Sequence, residues 1–298
     1  MRNADARWQR AMIAIQHTHF LNVVATKRSG HHAFVDWVMA SLPATTTFFS
    51  ESFSASMVRA KRTQTGTAII NIEGWLLPTV LQLEAAQRDT GQSAATIVFL
   101  RDPLNMLASL MNRRAQPMVH LSAICRQVFA GLDWTEAAPR EGSLRVLYGP
   151  WLTDGAYREK VAGALGFTAA PLPETVTPQG GGSSFDAANA VDAAGRLARL
   201  TRWHQYRQDP MFCAILGHPQ INARVLAAYK DAATDLLGGR IQDAEAAQFI
   251  GSLEPAGGLL GRVVDGLYRR RDAYRRVDTS DGLTRNIHNA QISIAALF

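Results

Sequence analysis

Two short segments carry residue types that bind anions. The first is Val23-Val24-Ala25-Thr26-Lys27-Arg28-Ser29-Gly30-His31-His32. An apolar run ends, a basic Ser-Gly turn follows, and an amphipathic stretch begins. A turn of this kind aims backbone N–H groups and the positive end of a helix dipole at one spot. Gly30 lets the backbone come close to an anion, and Ser29 adds a hydroxyl donor. Lys27 and Arg28 supply charge. The chemistry this predicts is phosphate binding. The spacing is not that of a Walker A loop, nor of the Gly-x-Gly-x-x-Gly dinucleotide turn. The plain alternative is a basic turn that only opens a helix.

The second segment is Ile97-Val98-Phe99-Leu100, followed by Arg101-Asp102-Pro103 and, further on, Ser109. Arg101 stands where an apolar run meets a helix start, which is again an anion position. Ser109 lies about two helical turns along and could bring a hydroxyl to the same group. The alternative is a structural arginine paired with Asp102 and a solvent-facing serine.

Together the two segments resemble the sulfotransferase family, whose members use 3′-phosphoadenosine 5′-phosphosulfate as sulfuryl donor. In that family a Lys- or Arg-Ser-Gly turn after the first strand binds the 5′-phosphosulfate. A strand ending in Arg-Asp-Pro, with Ser eight residues after the Arg, binds the 3′-phosphate. Arg101 and Ser109 keep that spacing. The likeness is closest to bacterial sulfotransferase-like proteins with a Lys-Arg-Ser-Gly-His-His turn. Tyr148-Gly149-Pro150-Trp151, Tyr157-Arg158, Gly181-Gly182-Ser183-Ser184-Phe185-Asp186 and Arg202-Trp203 also fit that branch. The resemblance runs from about residue 20 to 237 and stops before the C-terminal segment.

The resemblance implies donor contacts from Lys27, Arg28, Ser29, Gly30, His31, His32, Arg101 and Ser109. It also implies a nucleotide lid made by Gly181, Gly182, Ser183 and Ser184. Backbone donors in such a glycine run form anion-binding concavities readily. By composition alone the run reads as a linker. Many family members place a single Lys directly before the Ser-Gly as the catalytic cation. Here that position is Arg28, with Lys27 one residue earlier. Alternation in an extended turn would point the two apart, which favours Arg28. A base must take the acceptor's proton. The candidates are Glu73, Glu51, His31, His32 and His120, and Glu73 follows a strand at the edge where ligands bind in open α/β folds. His120 sits on an apolar stretch and reads as a packed core histidine. No metal is implied, and the acceptor is unspecified beyond a hydroxyl or amine, with a carbohydrate or glycoconjugate as first expectation. The rival readings are a nucleotide or small-molecule kinase with a degenerate phosphate loop, and a non-catalytic nucleotide-binding module.

These residues need a frame to position them. Apolar runs at Phe20 to Ala25, Ala68 to Ile72, Ala95 to Leu100 and Leu144 to Tyr148 read as buried strands. Amphipathic stretches at His31 to Met39, Pro78 to Arg88, Pro103 to Arg113 and about Asp154 to Leu165 read as helices. Alternation of this kind predicts a parallel sheet in three layers, with helices on both faces. From Ala169 to Ala190 the pattern stops in a proline- and glycine-rich loop. Beyond it the chain reads as helical to about residue 276, broken at Pro210, Pro219 and Pro255. Trp203, at helical spacing, reads as core. The expected division is a sulfotransferase-like α/β domain over 1–237 and a helical segment over 238–298.

Composition sets the outer limits. The 298 residues are 47% hydrophobic and 19% charged, a globular balance. Cys125 and Cys213 cannot make a disulfide scaffold, and neither has a partner at zinc-site spacing. No apolar run reaches membrane-span length, and the N-terminal apolar stretch is too short for a usual signal peptide. A cytoplasmic location is expected. The net charge of +6 and pI near 9.7 suit an anionic ligand. Nucleic acid is not expected, because no recognition motif accompanies the charge. The run Tyr268-Arg269-Arg270-Arg271-Asp272-Ala273-Tyr274-Arg275-Arg276 reads as a solvated basic face, with contact to anionic lipid as the lesser reading.

Overall fold

A computed structural model describes residues 19–42, 46–50, 67–73, 77–89, 91, 93–112, 120–137, 142–172, 200–231 and 244–271. Strand β1 (Phe20–Ala25) leads to helix α1 (His31–Ala40) and strand β2 (Thr47–Ser50). Strand β3 (Ala68–Glu73), helix α2 (Leu77–Asp89) and strand β4 (Ala94–Leu100) follow. Two helices, α3 (Pro103–Asn112) and α4 (Leu121–Glu136), then precede strand β5 (Ser143–Leu147). Helices α5 (Tyr148–Thr153) and α6 (Gly155–Ala164) end this half. A 3-10 turn (Arg202–Tyr206) opens the rest, with α7 (Pro210–Leu216), α8 (Pro219–Asp231), α9 (Ala244–Gly251) and α10 (Gly258–Arg269).

The protein is α/β, with a parallel sheet flanked by helices. The strand order is β2-β3-β1-β4-β5, and every paired strand is parallel. All six residues of β1 are buried, as are six of the seven in β4. Strands covered on both faces need such continuous apolar runs. Asn22 is the exception in β1. It is satisfied by a reciprocal amide pair with Gln87 of α2, at 2.8 and 2.9 Å. From β1 the chain moves to the β3 side of the sheet, and from β4 it moves to the β5 side. The carboxyl ends of β1 and β4 therefore flank the topological switch point, where open α/β sheets bind ligands.

Two apolar clusters hold the molecule. One joins the sheet to α1, α5 and α6, with Phe34, Trp37, Phe99 and Trp151 in mutual aromatic contact. The other joins α3 and α4 to α7, α8, α9 and α10. Phe249, Val264 and Leu267, beyond the expected boundary at 237, belong to it. Trp203 lies in this cluster, wholly buried and stacked on Phe249 at 5.2 Å. Asp154 caps α6 by accepting from the N–H groups of Ala156 and Tyr157. Pro210 and Pro219 stand at helix starts, where a missing N–H costs nothing. The structure differs from the sequence expectation where β2 adds an edge strand, where Tyr148 begins α5 rather than ending β5, and where α4 is a further helix between α3 and β5. Among the described residues no helix is long and apolar enough to cross a membrane.

Candidate functional site

The turn between β1 and α1 is wound tightly. Arg28 has φ 67° and Gly30 φ 84°, so two left-handed residues flank Ser29. The Ser29 N–H returns to the Thr26 carbonyl at 3.2 Å. Such turns make anion-binding concavities from their backbone N–H groups. A side chain at Gly30 is barred twice. The left-handed φ disfavours it, and a Cβ there would lie 2.5 Å from Cε2 of Tyr148. The turn is fastened from α4 and α3: the Lys27 N–H donates to Gln127 Oε1 at 3.1 Å, and the Thr26 hydroxyl to Met106 Sδ at 3.2 Å. The left-handed Arg28 also replaces the extended turn on which the choice between Lys27 and Arg28 was based. Lys27 is exposed and Arg28 half-buried.

Arg101 reaches this turn from the neighbouring strand. Its Nη1 donates to the Arg28 carbonyl at 2.8 Å, and its guanidinium lies 5.0 Å from the Tyr148 ring centroid. Tyr148 thus touches both predicted anion positions, through Gly30 and through Arg101. Asp102 anchors the start of α3, accepting from the Asn105 N–H at 2.8 Å, the Asn105 amide at 2.9 Å and the Tyr229 hydroxyl at 3.3 Å. Desolvation pushes its carboxyl up, against the pull of Arg101 and of these hydrogen bonds. Asn105 also donates to the Leu200 carbonyl at 2.6 Å and accepts from the Trp203 N–H at 3.2 Å. The Arg-Asp-Pro turn is thereby tied to the Arg202-Trp203 segment. Ser109 is buried at 3% exposure, so it is not a solvent-facing serine.

Three base candidates come together. Glu73 ends β3 in register with Ala25. Its carboxylate and the rings of His31 and His32 offer ligand atoms within 4.8 Å of one another. The two rings lie 4.1 Å apart. His31 is 1% exposed, with Nδ1 3.2 Å from the Ser29 hydroxyl and Nε2 without a partner. Burial, aided by His32, holds His31 down to about 3, so it is neutral near pH 7. The Ser29 hydroxyl is engaged with His31, and the N–H groups of Lys27 and Ser29 are engaged with Gln127 and Thr26. By distance the cluster could hold a divalent ion, but the basic turn and the α1 N-terminus beside it oppose a lone cation. His120 is half-buried at the start of α4. Glu51 and the predicted lid residues Gly181, Gly182, Ser183 and Ser184 lie outside the described residues, as do residues 272–276 of the basic run.

Sequence reasoning assigned no role to Tyr148, Gln127 or Asn105. Asn105 had a readable signal, since it stands three residues after a capping Asp. Tyr148 and Gln127 act across 118 and 100 residues of chain, counted from Gly30 and Lys27. Nothing local marks them. Both cysteines are free, and burial pushes the Cys125 thiol up to about 12. No family model matches the chain, and comparison with characterised proteins finds no relative.

Proposed function

We propose that the protein transfers a sulfuryl group from 3′-phosphoadenosine 5′-phosphosulfate to a hydroxyl or amine acceptor, on a frame of the sulfotransferase type. One observation carries the reading. Arg101 donates to the Arg28 carbonyl at 2.8 Å, so the two basic turns meet at adjacent strand ends across the switch point. A donor with phosphate groups at both its 5′ and 3′ positions needs two neighbouring cationic turns of this kind.

In this reading the backbone N–H groups of Arg28 and Gly30 and the start of α1 hold the phosphosulfate. Arg101 holds the 3′-phosphate side, with buried Ser109 behind it. The acceptor oxygen attacks sulfur in line, the bond from sulfur to the bridging oxygen breaks, and adenosine 3′,5′-bisphosphate leaves. Arg28, or Lys27 beside it, meets the negative charge that grows on the bridging oxygen. Glu73 takes the acceptor's proton. Positioning and charge stabilisation supply most of the rate, as in phosphoryl transfer. The lid from Gly181 to Ser184 covers the nucleotide. Residues 1–237 carry this machinery, with a cytoplasmic location and no metal.

Radiolabelled donor incubated with carbohydrate and amine acceptors tests the reading. Transfer is expected, and Glu73→Gln should abolish it while leaving nucleotide binding nearly intact. Near wild-type turnover in that variant would pass the base role to Glu51 or a histidine. Arg28→Ala should lower kcat by on the order of 100- to 1,000-fold, far more than it weakens bisphosphate binding. Lys27→Ala should do the reverse or less. A kcat loss confined to Lys27→Ala would exchange the two roles. Retained bisphosphate binding with no transfer to any acceptor would leave a non-catalytic binding module. Phosphoryl transfer from ATP would make it a kinase.

A further inference from the structure

The side chains gathered beside the β1 turn have a second chemistry. Glu73 ends β3, and His31 and His32 open α1. Their ligand atoms lie within 4.8 Å of one another, the one such group of three among the described residues. Strand pairing brings it together, because Glu73 stands in register with Ala25 at the head of the turn that leads to the two histidines. Zinc holds nitrogen and oxygen ligands at about 2.0–2.2 Å, so its tetrahedral donors stand about 3.3–3.6 Å apart. His32 and Glu73 are half-buried and can turn to close the remaining gap, while His31 is fixed in the core.

His31 points to a ligand on separate grounds. It is 1% exposed, its Nδ1 lies 3.2 Å from the Ser29 hydroxyl, and its Nε2 has no partner. A hydrogen bond on one ring nitrogen that orients the other toward an ion is the usual arrangement of a metal-binding histidine. A buried polar atom without a partner is costly and needs an explanation. Nε2 is enclosed, yet an ion bonded to it sits about 2.0–2.1 Å away, well inside the distance of about 2.9 Å that a hydrogen-bonded molecule needs. The group opens toward solvent on the side of His32 and Glu73.

The geometry points to an inhibitory zinc site made by His31 Nε2, His32 and the Glu73 carboxylate, with water in the fourth position. Two imidazoles and one carboxylate are a donor set that zinc accepts. The basic turn and the α1 N-terminus select among ions. Magnesium and calcium are held through oxygen donors, chiefly by charge, and the positive field of the turn repels them. Zinc also bonds to imidazole lone pairs, so it tolerates that field at a cost in affinity. The inhibition rests on the sulfuryl-transfer reading. A Glu73 carboxylate bonded to zinc cannot take the acceptor's proton, so the ion blocks the reaction and has no part in it.

The test titrates the full-length protein, cleared of metal by a chelator, with zinc chloride in a calorimeter, against magnesium chloride. One zinc per chain is expected in the micromolar range, and no magnesium. His32→Ala and Glu73→Gln should each weaken zinc binding at least about tenfold, with urea midpoints showing that the variants fold. X-ray absorption at the zinc edge of the wild-type complex needs no variant and should show two imidazole ligands. Absent zinc binding, fewer than two imidazoles, or affinity undiminished in both variants would overturn the site. In transfer assays zinc should stop turnover and a chelator should restore it, whereas full turnover with the site filled would overturn the inhibition. Zinc bound as described to a protein that transfers to no acceptor would count against the sulfuryl-transfer reading and leave the site standing.

Discussion

After β1 the chain bends through two left-handed residues, Arg28 and Gly30; after β4 it bends without one and is fastened by the carboxylate of Asp102. The first turn stores strain and buries a histidine nitrogen with no partner. The second has its carboxylate met by three hydrogen-bond donors and passes that order on, through Asn105, to Leu200 and Trp203. Strained backbone and unmet polar groups are kept where a ligand repays them. A fully satisfied network rigidifies what surrounds it. The difference sets a strained turn after β1 beside a braced turn after β4, with Arg101 as the bridge between them.

The comparison breaks most visibly at Gly30. Gly30→Ala forces a Cβ onto a left-handed backbone and into Tyr148. It should lower unfolding free energy by about 2–4 kcal/mol in urea denaturation. Adding Tyr148→Leu should recover the steric part and leave the backbone part. If Gly30→Ala is as stable as wild type, the turn is not the strained element described.

Acid sharpens the contrast, because the two turns respond with opposite sign. Burial holds the folded value of His31 down to about 3, below the ordinary 6.5 of an imidazole in the unfolded chain. As pH falls from 6.5 the unfolded chain takes the proton first. The stability from neutral His31 is therefore full above 6.5 and is lost as pH falls toward 3, by about 1.4 kcal/mol per pH unit. His31→Gln should remove that slope from urea titrations between pH 6.5 and 4. Asp102 behaves oppositely, since its folded value is raised above 3.8. Its contribution is present below 3.8 and is lost as pH rises through the folded value. An unchanged slope in His31→Gln would show that burial does not keep this ring neutral.

Smaller effects separate the supporting network from the exposed cation. Asp102→Ala leaves the Asn105 and Tyr229 donors without their shared acceptor and should cost about 1–2 kcal/mol. Thermal denaturation read at the tryptophans should report it, since Trp203 hangs on the same network. Lys27→Ala should change stability by no more than about 0.5 kcal/mol, because the side chain is exposed. A larger stability loss for Lys27→Ala than for Asp102→Ala would reverse the roles of the two turns.

Four of the five strands and both basic turns were legible because their signals are local. A run such as Phe20–Ala25, buried at every position, is a strand of a covered sheet from its sequence alone. Gly30 and the Asp102-Pro103 start of α3 announce their turns in the same way. Helix α4 was harder to see. Its polar stripe of Ser122, Arg126, Asp133 and Glu136 is broken by buried Phe129, and Gly131 interrupts the helical propensity. Gly131 is small because Met106 packs against it. The site's wall was not legible at all. Tyr148 meets Gly30 and Arg101 only after the sheet has brought β5 beside β4 and β4 beside β1. Nor does sequence spacing reveal that Glu73, His31 and His32 converge, since β3 reaches β1 through strand pairing.

In the proposed function the two turns bind one ligand with phosphate groups on both sides. Calorimetric titration with adenosine 3′,5′-bisphosphate and with AMP tests it most directly, in wild type and in Arg101→Ala. The bisphosphate should bind at least about tenfold tighter than AMP, and Arg101→Ala should remove this preference. Equal affinities for the two nucleotides in the wild-type protein would contradict it.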